Sequence, residues 1–130
     1  MMEDFYREYI LDHYRNPRNR GVIESPDITY ADSNPLCGDE IQIDLMVKNG
    51  VVDEVKFSGR GCAISQASVS MLTEMIEGKP IDEVKEITKE DVMEMLGITL
   101  TPVRVKCALL GLKVLKSGVY GIEAAEDEDL

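Results

Sequence analysis

Cys37, Cys62 and Cys107 are the only cysteines of the chain, and each stands where a thiolate would be stabilised. Cys37 lies in the turn Asn34-Pro35-Leu36-Cys37-Gly38-Asp39. Cys62 follows Gly59-Arg60-Gly61 and opens an apolar-periodic stretch, and Cys107 ends the basic run Arg104-Val105-Lys106. The spacings are 25 and 45 residues, so no two thiols form the close pair of a zinc ribbon or a redox dithiol. Brought together by the fold, the three would join Asp39 in a site of three sulfurs and one carboxylate, a donor set suited to a soft metal or an iron–sulfur cluster. The plain alternative is that each is a small buried hydrophobe, the commonest fate of a free cysteine. The neighbours weigh against it: Pro, Gly and acids around Cys37 are not core sequence, and Cys62 has glycines before it and a helix after it.

Other chemistry is sparse. His13, the single histidine, is a metal ligand by residue type, but it sits among charges on a helix and reads as a surface residue. Met71, Met75, Met93 and Met95 recur at helical spacing and read as core filler. There is no Ser-His-Asp set, and Gly59-Arg60-Gly61 is too short to cradle a phosphate, so it reads as close backbone around Cys62.

The 130 residues suit one domain, 1–122, followed by an acidic tail, 123–130. A net charge of −11 argues against nucleic acid, whose phosphates would be repelled. Apolar runs are too short to span a membrane, and the acidic start lacks the basic opening of a signal peptide. Three separated cysteines without an export signal then point to a reducing, cytoplasmic setting.

These residues must be positioned by an α+β fold. Residues 2–14 space Phe5, Tyr9 and Ile10 or Tyr6 as one helical face, which stops before Asn16-Pro17. Ile28 to Ser33 suits a short edge strand. From Glu40 strict alternation puts Ile41, Ile43, Leu45 and Val47 on one face of a strand, with Gln42, Asp44 and Met46 on the other. Asn49-Gly50 is a two-residue hairpin turn, and Val51 to Ser58 returns before Gly59-Arg60-Gly61 breaks the strand. Helical period resumes over 63–77, again from Thr88 to Leu96 behind a capping sequence, and from Pro102 to Ser117-Gly118. The expectation is a small three-stranded antiparallel sheet with helices over one face.

Three segments, Asn34-Pro35-Leu36-Cys37-Gly38-Asp39, Gly59-Arg60-Gly61-Cys62-Ala63-Ile64-Ser65-Gln66-Ala67-Ser68 and Arg104-Val105-Lys106-Cys107-Ala108, together with the opening Tyr6 to Asn19, resemble iron–sulfur cluster assembly scaffolds. These are the IscU-type proteins, related to the N-terminal domain of NifU and to the SufU branch. The resemblance spans roughly residues 2–120. It implies that Cys37, Cys62 and Cys107 hold a 2Fe-2S cluster, with Asp39 as ligand or as governor of release. It also implies assembly of that cluster from iron and the sulfide of a cysteine desulfurase or other source, and transfer to apo iron–sulfur proteins, rather than turnover of a small substrate. A homodimer is compatible with it.

Two departures accompany the likeness. Lys106 stands where most IscU proteins have histidine; an ammonium does not ligate, which favours Asp39 as fourth ligand and leaves Lys106 to modulate Cys107. The SufU branch also has a basic residue there, and some members hold Zn2+ and relay sulfur, which implies the second reading, a zinc-dependent sulfurtransferase with Cys107 as persulfide acceptor. That branch usually carries an insertion between the second and third cysteines, absent from the short link Gly97-Ile98-Thr99-Leu100. Leu100-Thr101-Pro102-Val103-Arg104 only approximates the Leu-Pro-Pro-Val-Lys segment by which IscU proteins engage an Hsp70 chaperone.

Overall fold

The computed structural model describes residues 2–35 and 38–120. Cys37 and the acidic tail therefore lie outside the described residues. The element order is α1 (Met2–Arg15), β1 (Ile28–Asn34), β2 (Asp39–Lys48), β3 (Val51–Arg60), α2 (Ala63–Ile76), α3 (Ile81–Lys85), α4 (Lys89–Leu96) and α5 (Pro102–Tyr120). The strands form an antiparallel sheet in the order β1-β2-β3, as the alternating pattern predicts.

Asn49 and Gly50 both adopt positive φ, 54° and 76°, the geometry of a type I′ turn that matches strand twist. That turn pairs Lys48 with Val51 and Val47 with Val52, and a one-residue register shift between Met46 and Val47 then sets Leu45 opposite Val55 and Ile43 opposite Phe57, so that these and Ile41 share one buried face. α2 and α5 lie across this face, and their Ala67, Leu72, Leu112 and Leu115 complete a continuous core. Each fully buried large side chain there contributes about 1.5–3 kcal/mol relative to exposure. Thr88 and Asp91 form a reciprocal capping box at the start of α4, as their spacing predicts.

The structure departs from expectation in four places. The return strand does not break at Gly59: it pairs through Arg60, which opposes Glu40, while Gly59 opposes Ile41 with φ 125°. A glycine permits that φ, so the strand bends without ending. The short helix α3 is an addition that the weak pattern around Ile81 did not reveal. On α1, Tyr6 rests against Gly97 and Ile10 and His13 are buried, whereas Phe5 and Tyr9 are 66% and 39% exposed. The packed stripe is thus one position round the helix from the aromatic one.

His13 is the fourth departure. It is fully buried, with its Nδ1 2.8 Å from Ser70 Oγ, which also accepts the Arg18 N–H at 2.8 Å. Burial is the largest influence on the imidazole and holds its pKa below the usual value; Arg18 acts in the same direction, against Glu74 and Asp12. A neutral ring fits this setting: Nδ1 accepts from the Ser70 hydroxyl, and Nε2 faces Glu74 at 3.5 Å. His13 therefore fastens α1 to α2 and lies outside the thiol site.

The segment between α1 and β1 covers what alternation alone would leave wet. Gly21 donates to Phe57 O and Phe57 donates to Asn19 O, so residues 19–21 shield the outer edge of β3. Asp44, on the outer sheet face, is 2% exposed and accepts from Ile23 N, Thr29 Oγ1 and Gln42 Nε2.

Candidate metal centre

Asp39 is the first residue of β2 and pairs with Asn34, the last of β1. Its alternation sends it to the helix-covered face, with Ile41 and Ile43, and it is 0% exposed. A carboxylate so placed requires donors. One is the backbone N–H of Cys62, which donates to Asp39 Oδ1 at 2.9 Å.

Cys62 caps the N-terminus of α2 with extended backbone, and its sulfur accepts from Ser65 N at 3.5 Å. Sulfur here fills the part usually taken by a Ser or Asp oxygen, and the helix end supplies N–H groups and partial positive charge. Cys107, by contrast, lies a turn inside α5 and is 0% exposed. It reaches the site because α5 crosses both α2 and the β1–β2 end of the sheet.

One ligand atom each from Asp39, Cys62 and Cys107 lies within 4.8 Å of the other two. Cys107 is disulfide-bonded in this structure, contrary to the expectation of free thiols. Around a tetrahedral ion with metal–sulfur bonds of about 2.3 Å, neighbouring sulfurs stand ~3.8 Å apart, so reduction of that bond and a small contraction would convert this triangle into three ligands of one ion. The donor set is soft on two corners and hard on the third. Three of the four sequence-predicted site residues thus converge; the fourth, Cys37, lies outside the described residues. Burial is uneven. Asp39 and Cys107 are sealed, and Cys62 is partly exposed.

The backbone approach at Gly61 is part of the construction. A Cβ there would stand 2.5 Å from both Asp39 Oδ1 and Ser65 Oγ. The glycine therefore lets the β3–α2 link pass over the carboxylate, as the reading of close backbone around Cys62 anticipates. Lys106 is exposed on α5. With Lys113, it lines an open cavity of about 250 Å³ against Ser33, Asn34 and Pro35, just before the Cys37 turn. Ser65 is the participant that sequence reading passed over. Its signal was the spacing Cys-x-x-Ser at a helix start, where the cap and the third helical residue face one another.

The fold and site define a small α+β domain that gathers a carboxylate and two cysteine sulfurs, a group able to hold a metal ion once both sulfurs are reduced, at the junction of a strand end and two helices. The chain belongs to the NifU-like N-terminal domain family, whose model matches residues 5–128. It is 36% identical over 135 residues to a Bacillus subtilis protein named zinc-dependent sulfurtransferase SufU, covering 91% of each chain. It is 42% identical over 112 residues to the Aquifex aeolicus iron-sulfur cluster assembly scaffold protein IscU, covering 85% of this chain and 71% of that one. Among solved structures, a protein described as an iron-sulfur cluster assembly scaffold for the SUF system, from Fervidobacterium islandicum, superposes with a TM-score of 0.75 at 30% identity, covering 86% and 94% of the two chains. An N-terminal NifU-like structure from Brucella abortus, 22% identical with a TM-score of 0.73, shares the fold. No helix among the described residues is long and apolar enough to cross a membrane.

Proposed function

We propose that this chain is a scaffold on which a 2Fe-2S cluster is assembled from iron and sulfide and from which it passes to apo-proteins. The observation that supports this most is the mixed donor set, in which the ligand atoms of Asp39, Cys62 and Cys107 lie within 4.8 Å of one another. Thiolates hold iron firmly, whereas a carboxylate is a harder and weaker partner for it. One weak corner lets a cluster leave, as a scaffold requires and a permanent electron carrier does not. The sequence adds Cys37, two residues before Asp39, as the remaining thiolate. Lys106, next to Cys107, brings positive charge to a site that is otherwise strongly negative. A cysteine desulfurase would supply sulfur, and apo iron–sulfur proteins would receive the cluster.

A second reading, zinc-dependent sulfur transfer, is favoured by the 36% identity to the sulfurtransferase and by the basic residue before the third cysteine. The same residues would then hold Zn2+, and a cysteine would accept persulfide. Anaerobic purification followed by iron, zinc and acid-labile sulfide analysis separates the two. The scaffold reading expects reconstitution with iron and sulfide to give visible charge-transfer absorption that moves to an apo-ferredoxin on mixing. One tightly held zinc, no cluster after reconstitution, and desulfurase turnover stimulated by the protein would establish the second reading instead.

A further inference from the structure

Ser65 has a position that packing alone does not explain. It is 1% exposed, and its Oγ is 3.1 Å from Cys62 O and 3.8 Å from Cys62 Sγ. Its backbone N–H also points at that sulfur, at 3.5 Å. Asp39 Oδ2 also stands near the sulfur, at 3.9 Å. When Cys62 carries its proton, the S–H can donate to either oxygen. Once it is a thiolate ligand it can only accept, and it then faces a carboxylate that also can only accept.

Among the described residues that contact the sulfur, Ser65 serves both states. Its hydroxyl accepts from the thiol, and by turning away from the Cys62 carbonyl it donates to the thiolate. We propose that Ser65 is a positioning residue that holds the Cys62 sulfur as a metal ligand beside the Asp39 carboxylate through paired O–H and N–H donation. Ser65 is sealed from solvent, so its hydroxyl is held beside the sulfur rather than drawn into water. Hydrogen-bonding partners of this kind are worth about 10–100-fold in metal affinity. They also draw charge from the sulfur, which raises the energy of thiolate-to-metal charge transfer and, in clusters, the reduction potential. This inference rests on the proposed use of Cys62 as a ligand.

The test uses Co2+, whose thiolate bands report each sulfur, competed with a chelator of known affinity and recorded on the full chain. The parent should bind with thiolate-to-cobalt absorption; if Cys62→Ser leaves that absorption unchanged, the ligand reading itself fails, independently of Ser65. Given that band, Ser65→Ala should bind Co2+ about tenfold or more weakly, with the charge-transfer band moved to longer wavelength. Ser65→Thr and Ser65→Val differ in a hydroxyl against a methyl at nearly the same shape. Thr should keep the parental band and Val should shift it, whatever packing cost the two share. Equal affinities and equal band positions for the Thr and Val proteins would overturn the proposal, even where Ser65→Ala unfolds.

Discussion

A single methyl at Gly61 should be felt almost entirely by the proposed ligand Asp39. Gly61 does not use the positive φ that several other glycines here require, so alanine suits its backbone. The added carbon would nevertheless stand 2.5 Å from Asp39 Oδ1, where ordinary contact begins at 3.4 Å, and the carboxylate must retreat by about 1 Å. Ser65 Oγ, also at 2.5 Å from that carbon, is a second obstacle. The retreat stretches or breaks the 2.9 Å hydrogen bond from Cys62 N, leaving a buried donor underserved. Overpacking and the weakened bond together should cost about 1–3 kcal/mol of unfolding free energy. Misplacing the carboxylate should weaken metal binding by about 10–100-fold. Urea unfolding of the metal-free protein and zinc competition against a chromophoric chelator measure the two effects. A double-mutant cycle isolates the cause: Asp39→Ala removes one of the two obstacles, so Gly61→Ala should cost about 1 kcal/mol less in that background than in the parent. Full additivity, with parental zinc affinity for Gly61→Ala, would show that the carboxylate does not depend on the glycine.

Asp39→Ala should keep a reconstituted cluster at least as long as the parent while passing it to an apo-ferredoxin about tenfold more slowly; unchanged transfer, followed by absorbance, would remove Asp39 from the release step. His13 is held below its usual pKa by burial, so the unfolded chain binds its proton first as pH falls. Stability should therefore be level above about pH 6.5 and fall below it by up to ~1.4 kcal/mol per pH unit. His13→Asn should flatten that slope between roughly pH 6.5 and 5, above the range where carboxylates dominate, and parallel urea-midpoint curves for the two proteins would refute the assignment. Gly59→Ala combines a φ of 125° with a Cβ placed 2.0 Å from Glu40 O, so it should lose more than about 3 kcal/mol and loosen Cys62 with it. Hydrogen exchange at Ile41 and Arg60 reports that loss, and a parental rate there would contradict the strained register.

The local physics of this chain is written along it. Asn49-Gly50 permits few geometries besides a tight hairpin, the alternation from Ile41 to Val47 allows one buried face, and Thr88 with Asp91 can satisfy each other only at a helix start. Cys37 and Cys62 stand out in the sequence because their neighbours are not those of core residues, and Cys107 because it follows a basic run. What the sequence leaves open is whatever depends on distance through space. Convergence of Asp39, Cys62 and Cys107 needs the crossing of α5 over α2 and the sheet end, contacts between residues too far apart in sequence for any periodicity to record. The burial of His13 and Asp44 has the same origin. Each looks like a surface residue from its own helix or strand, and each is covered by a segment distant in the chain that also supplies a hydrogen-bond partner, Ser70 for His13 and Ile23 for Asp44. Ser65 is inconspicuous in the sequence for a related reason. A serine three residues into a helix is ordinary by itself, and only the strand that brings Asp39 to within 3.9 Å of the Cys62 sulfur makes a two-way hydroxyl there matter.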